Sequence, residues 1–223
     1  MATQPVPVVT AFDWVPDFAK GLVRDLRVRW ALEEVAAPYS VEKFGAANPR
    51  PEGYVDWQPF EQVPAFRDGD VEIFESGAIL LYIAEKRGAL LPTDEKWRWQ
   101  AIAWLFAGLN SVEPSLMRYF AYEVFNAGKE WAAGAKEAVL PLLRQKLKRV
   151  SDALGDNDWL AGEFSIADIM MVTVLNNLKD TGFVAEYPSL AAYHARGIGR
   201  PAYQRALAAQ LADFDGPAPQ GRE

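Results

Sequence analysis

At Phe74 the repeat of apolar residues changes from two to near 3.6, and few folds accommodate that switch where it stands. Residues 71–74, Val-Glu-Ile-Phe, alternate as a half-buried strand does, and Asp68-Gly69 ahead of them is a hairpin signal. Residues 63–66 supply the partner strand. From Glu75 onward Ile79, Leu80, Tyr82 and Ile83 recur at helical spacing, so residues 60–86 predict a hairpin feeding a helix.

Two details exceed what such a unit needs. Pro64 stands at a strand start, where it removes a donor, and an X-Pro bond is the one peptide bond with an appreciable cis population. A cis bond here turns the Val63 backbone outward. The helix start combines free N–H groups, the Ser76 hydroxyl and the Glu75 carboxylate within one turn, a set suited to the carboxylate and ammonium of an α-amino-acid group.

Gln62-Val63-Pro64 followed by Glu75-Ser76 in this frame resembles the glutathione-binding half of the cytosolic glutathione transferases, bacterial type, whose N-terminal domain is thioredoxin-like. The resemblance implies that the Val63 backbone, before a cis Pro64, pairs with the cysteinyl part of glutathione. It gives the γ-glutamyl end to Glu75 and Ser76, with Gln62 beside them, and offers Arg50 to the glycyl carboxylate.

The remaining chain reads in the same sense. Residues 7–12 predict a first strand, 22–35 a helix and 39–44 a second strand, followed by the irregular Asn48-Pro49-Arg50-Pro51. The order βαβ then ββα is that of a thioredoxin-like domain. Residues 88–94 read as a linker, and beyond them no strand pattern appears. Helices are expected over 95–125, bent at Pro114, and over 128–154, kinked at Pro141. Ser165 and Asp168 form a capping box, stapled by Phe164 on Ile169, ahead of a buried apolar run. That box also resembles the family's C-terminal domain. The expected fold is thus α/β plus all-α: a thioredoxin-like domain over 1–87 and a helical domain over 95–223, with 212–223 as a loose tail.

Composition excludes several classes. The 223 residues carry 23 Lys+Arg against 30 Asp+Glu, an acidic balance that argues against nucleic acid as a partner. No cysteine is present, so a disulfide framework and a dithiol redox motif are excluded, and one histidine, His194, argues against a histidine metal centre and reads as a surface or edge residue. With no signal segment or apolar span, a cytoplasmic protein without metal or membrane contact is expected. The eight tryptophans are expected mostly in the core.

The resemblance implies a homodimeric enzyme of detoxification, attacking an electrophilic small molecule with the thiolate of glutathione as co-substrate. It breaks where that thiolate should be stabilised. Family members use a Tyr, Ser or Cys near the end of the first strand or the start of the first helix, and residues 11–21 contain none. Either first-helix amides act with Lys20 or Arg24, or glutathione is bound without turnover of common electrophiles. Thr10 is a weaker hydroxyl candidate. Trp14, Phe18, Trp104, Tyr119 and Tyr122 are candidates for an apolar substrate subsite. A glutathione-dependent reductase of peroxides or disulfides, and a non-catalytic binding or scaffold protein, are the alternatives.

Overall fold

The computed structural model describes residues 6–46 and 49–218. Asn48, named above within the irregular segment, and the last five residues of the tail lie outside them. By its internal contacts the chain divides into two units, residues 1–88 with 200–223, and residues 89–199.

The first unit holds a four-stranded sheet in the order β2-β1-β3-β4. Strand β1 (Val8–Phe12) runs parallel to β2 (Ser40–Phe44), with Val9 opposite Val41 and Ala11 opposite Lys43. A parallel neighbour requires a crossover, and helix α1 (Asp25–Glu34) supplies it. Strand β3 (Ala65–Asp68) pairs antiparallel with β1 and with β4 (Val71–Phe74), and the β3–β4 turn falls at Gly69-Asp70, one residue past the Asp68-Gly69 signal, because Asp68 still pairs with Val71. A one-turn helix, α2 (Tyr54–Trp57), follows the irregular segment that ends at Pro51, in a stretch to which the sequence reading assigned no element. Helix α3 (Ser76–Arg87) follows β4 and closes on Gly88 in a left-handed cap.

Helix α1 starts three residues later than its apolar pattern suggests, because residues 21–24 form successive turns. Every residue from Asp25 to Leu32 is buried, charged ones included. The reason is remote in sequence: the last helix, α9 (Pro201–Ala212), packs on α1, as does α3. Residues 200–223 therefore group with the sheet, whereas the sequence reading left them in the helical domain.

The second unit is helical: α4 (Glu95–Ala107), α5 (Glu113–Phe120), α6 (Glu130–Leu154), α7 (Ile166–Leu175) and α8 (Pro188–Ile198). The stretch expected as one bent helix is continuous, with π-helical turns over Gly108–Val112 and Ala121–Phe125. The first precedes Pro114, whose missing N–H breaks the regular ladder. Helix α6 runs through Pro141. All ten residues of α7 are buried, and α4 and α8 pack against it.

The tryptophans depart from expectation. Trp30 and Trp57 are core, but Trp97, Trp99 and Trp131 are exposed and Trp14, Trp104 and Trp159 half-buried. Helical spacing fixes a face, and only the neighbouring elements decide whether that face is covered.

Candidate functional site

Register places the site. Ala65 stands opposite Phe74 on the β3–β4 ladder, so Val63-Pro64 leads into one strand where Glu75-Ser76 leaves the other. The Val63–Pro64 bond is cis. Among the described residues, nothing hydrogen-bonds to the Val63 N–H or C=O, which leaves one short peptide edge beside a helix start.

Glu75 is the N-cap residue of α3 but does not cap it. Its φ is +71°, a region sparsely populated by side-chain-bearing residues, and its exposed carboxylate makes no capping bond. The strained backbone directs a carboxylate away from the amides it would ordinarily satisfy. Ser76, by contrast, is buried, and its Oγ accepts a hydrogen bond of 3.1 Å from Arg27 Nη1. Since that lone pair is engaged, the Ser76 hydroxyl proton is available to an acceptor, beside the unpaired N–H groups of the first helical turn.

Arg27 is a site residue that sequence reasoning missed. It lies 49 positions from Ser76, and only the packing of α1 on α3 joins them. A second missed group fixes the loop around Pro64. The Ala65 N–H donates to Thr10 Oγ1 at 2.7 Å, Thr10 and Tyr54 hydroxyls meet at 2.9 Å, and Tyr54 donates to the Gln62 carbonyl at 2.6 Å. Both sides of Val63-Pro64 are thus tied to one buried hydroxyl pair. Gln58 Oε1 adds bonds from the Phe60 and Gln62 amides. Thr10 is fully buried in this relay, so the hydroxyl role considered for it toward a thiol is replaced by a structural one. Burial raises the Tyr54 phenol above its ordinary value, keeping it a neutral donor.

The other candidates divide. Gln62 is exposed, and its carbonyl is the acceptor just described. Arg50 is engaged internally: Nε donates to the Glu61 carbonyl at 2.7 Å, Nη1 to that of Gly45 at 3.0 Å, and its guanidinium stacks over Phe12 and Phe44. Lys20 pairs with Asp17 at 2.7 Å. Arg24 is the half-buried residue preceding α1. Trp14 and Phe18 belong to the first unit, Trp104, Tyr119 and Tyr122 to the second. Tyr119 is buried edge-on against Phe183, and Tyr122 packs edge-on against Trp131. His194 is half-buried rather than superficial, with Nε2 enclosed and without a partner among the described residues, and burial lowers its pKa. Among the described residues no group of acidic, His or Cys side chains is arranged to hold a metal, and no helix is long and apolar enough to cross a membrane.

A thioredoxin-like sheet with an open peptide edge beside a helix start, followed in sequence by an all-α unit, defines the class of protein. Comparison with known proteins gives the family. The glutathione S-transferase N-terminal domain matches residues 8–85, and the C-terminal domain of the same family matches residues 133–196. The disulfide-bond oxidoreductase YfcG of Escherichia coli K12 is 31% identical over 195 residues, covering 82% of this chain and 89% of that protein. A glutathione S-transferase of Hyoscyamus muticus is 29% identical over 174 residues, covering 73% and 81%. Among solved structures, a glutathione transferase from Pseudomonas putida, with one glutathione disulfide bound per subunit, superposes with a TM-score of 0.79 at 23% identity, over 91% of this chain and 90% of that one. The chain belongs to the glutathione S-transferase family.

Proposed function

We propose that this protein binds glutathione along Val63-Pro64 and Glu75-Ser76 and directs its thiolate at an electrophilic small molecule. The observation that carries the reading is the hairpin register, which sets an unpaired peptide edge beside an exposed, uncapping carboxylate and an Arg27-oriented hydroxyl. In this arrangement the Val63 N–H and C=O pair with the cysteinyl backbone as a short antiparallel bridge. The γ-glutamyl carboxylate takes the Ser76 hydroxyl and the first-turn N–H groups of α3, and the Glu75 carboxylate takes the ammonium. Gln62 flanks the cysteinyl residue. Arg50, already bonded to the Glu61, Gly45 and Ala46 carbonyls, would act on the glycyl end only by exchanging one of them.

The thiol then lies toward the loop that follows β1. No Tyr, Ser or Cys stands in residues 11–21, so the thiolate rests on backbone amides with Lys20 or Arg24. Engagement of Lys20 by the thiolate requires release of Asp17. In conjugation, sulfur forms a bond to the electrophilic carbon as the leaving group departs with its electron pair, while Trp14 and Phe18, on the loop after β1, supply apolar surface. Homodimer formation belongs to the same proposal, supported by the exposed Trp99 and Phe106 on α4, as do cytoplasmic residence and a detoxifying role.

A second reading is favoured by the likeness to a disulfide-bond oxidoreductase. Here the glutathione thiolate attacks a disulfide sulfur and expels one thiolate, and a second glutathione thiolate attacks the glutathionyl sulfur of the mixed disulfide, breaking its S–S bond to give glutathione disulfide and release the other thiolate. No protein cysteine is needed, and the chain has none.

A thermal-shift titration with glutathione tests the site. Saturation at 1,000 times the dissociation constant adds about 4 kcal/mol, or roughly 8–16 °C for a chain of this size. The rise is expected to vanish in Glu75→Ala. No rise in the native chain at millimolar glutathione would reject the reading. An activated aryl chloride and a small mixed disulfide, assayed side by side, separate the two chemistries.

A further inference from the structure

The C-terminal tail, expected to be loose, is fastened at four points within the first unit. The Gly216 N–H donates to the Asp13 carbonyl at 2.9 Å. Lys43 Nζ donates to Asp215 Oδ1 at 2.8 Å and to the Asp213 carbonyl at 3.2 Å. Arg29 Nη2 lies 2.7 Å from Asp213 Oδ2, an ionic contact outside hydrogen-bond alignment. Asp13 directly follows β1, so the strap meets the loop of residues 13–21 at its first position.

Helix α9 meets the other end of that loop. Gly21 has φ +76°, which strains any side chain, and a Cβ placed there would stand 3.1 Å from Leu207 Cδ1, a contact Leu207 must yield to by a few tenths of an ångström. Just beyond, Gln210 Nε2 donates to the Val23 carbonyl at 3.1 Å and to Asp25 Oδ1 at 2.6 Å. Asp25 also accepts from Arg29 Nε at 2.7 Å. Strap and helix thus meet the loop at its first and last positions, through the Gly216 bond to Asp13 and the approach of Leu207 to Gly21, while Gln210 and Asp213 hold the start of α1 just beyond.

We infer that residues 207–216 are a positioning clamp for the loop of residues 13–21, acting on the placement of the thiol rather than on the affinity for glutathione. The inference rests on the glutathione reading above. That reading puts affinity at Val63, Glu75 and Ser76, none of which the clamp touches, and puts the thiol near the clamped loop. Since a misplacement of about 1 Å can cost about a hundredfold in rate, a loop held at one end only would bind glutathione and turn it over poorly.

Gly216→Pro deletes the N–H given to Asp13 and sets a Cβ 2.6 Å from Asp13 Cγ, which drives strap and loop apart without altering Asp213 or Asp215; a stop after Ala212 removes the whole strap. Hydrogen exchange over residues 13–21, the glutathione-dependent midpoint, kcat and the thiol pKa of bound glutathione are read on both. Faster exchange in the loop, an unchanged glutathione shift, kcat lower by tenfold or more and a raised thiol pKa are expected. Unchanged exchange in Gly216→Pro overturns the clamp whatever glutathione does. Faster exchange with unaltered kcat and thiol pKa overturns its catalytic part. If the native chain shows no glutathione shift, the glutathione reading fails and the clamp loses its role in turnover, while the exchange data still decide whether the loop is held. Should the truncated chain not fold, Gly216→Pro decides alone.

Discussion

Two helix starts in this protein carry a serine and a carboxylate, and they use them in opposite ways. At α7 the Asp168 carboxylate accepts from the Leu160 and Ser165 amides, the Ser165 hydroxyl and the Tyr193 phenol, at 2.9–3.2 Å, while Ser165 Oγ accepts from the Ala167 amide. Every polar atom of the box is answered inside the unit. At α3 the Glu75 carboxylate is exposed and caps nothing, its backbone sits at φ +71°, and the Ser76 hydroxyl is held from beneath by Arg27. The first arrangement is closed and stabilising; the second is kept open at some cost in backbone strain.

The contrast is tested most severely at α7. Asp168→Ala leaves four donors, mostly buried, without an acceptor and is expected to destabilise by about 3–5 kcal/mol. A fall in the unfolding midpoint of roughly 10 °C or more would show it. Glutathione affinity of the remaining folded protein should be unaltered. A loss below about 1 kcal/mol would mean that water replaces the carboxylate and that the box is less closed than its geometry implies.

The same carboxyl should give a pH signature. Burial pushes Asp168 up to about 6 from an ordinary 3.8, against the hydrogen bonds from Leu160, Ser165 and Tyr193. The folded state therefore holds the proton more tightly than the unfolded chain, so this contribution is complete below about 4 and is lost as pH rises through about 6. Urea midpoints at pH 5 and 7 should differ less in Asp168→Asn than in the native chain. Equal differences would refute the assignment. Asp25 is displaced in the same direction, to about 6, by burial opposed by Arg29 and Gln210, and persists as background in both proteins.

The smallest effect is expected at α3, with the opposite sign. Glu75→Gly relieves the positive φ and should stabilise by about 1 kcal/mol relative to Glu75→Ala, while both variants lose the glutathione-dependent rise. A destabilising Glu75→Gly would show that the carboxylate supports the fold after all, and the comparison between the two helix starts would dissolve.

Legibility in the sequence followed the range of the interaction. The hairpin at Asp68-Gly69, the start of α3 and the box at Ser165 are written in consecutive residues, because turn conformation and caps are satisfied within four positions. The Arg27 bond to Ser76 spans 49 residues and the Thr10 contact with Tyr54 spans 44, and nothing local to either residue announces them. The burial of the charged residues of α1 is non-local for the same reason. Asp25, Arg27 and Arg29 alternate in charge along α1, yet each is at most 2% exposed because α9 and α3 both pack on that helix.

The sequence by itself determined the period switch at Phe74, the order of strands and helices, and the residue types available to a tripeptide, since these depend on backbone propensity and neighbouring side chains. It also settled that any sulfur chemistry comes from outside the chain, there being no cysteine. Tertiary structure alone decided which of those groups stay open. Burial of an ion or amide is tolerated only with a partner, and partners hundreds of atoms away along the chain are found only when it folds: Arg27 for Ser76, Gln210 for Asp25, and Gly216 for Asp13.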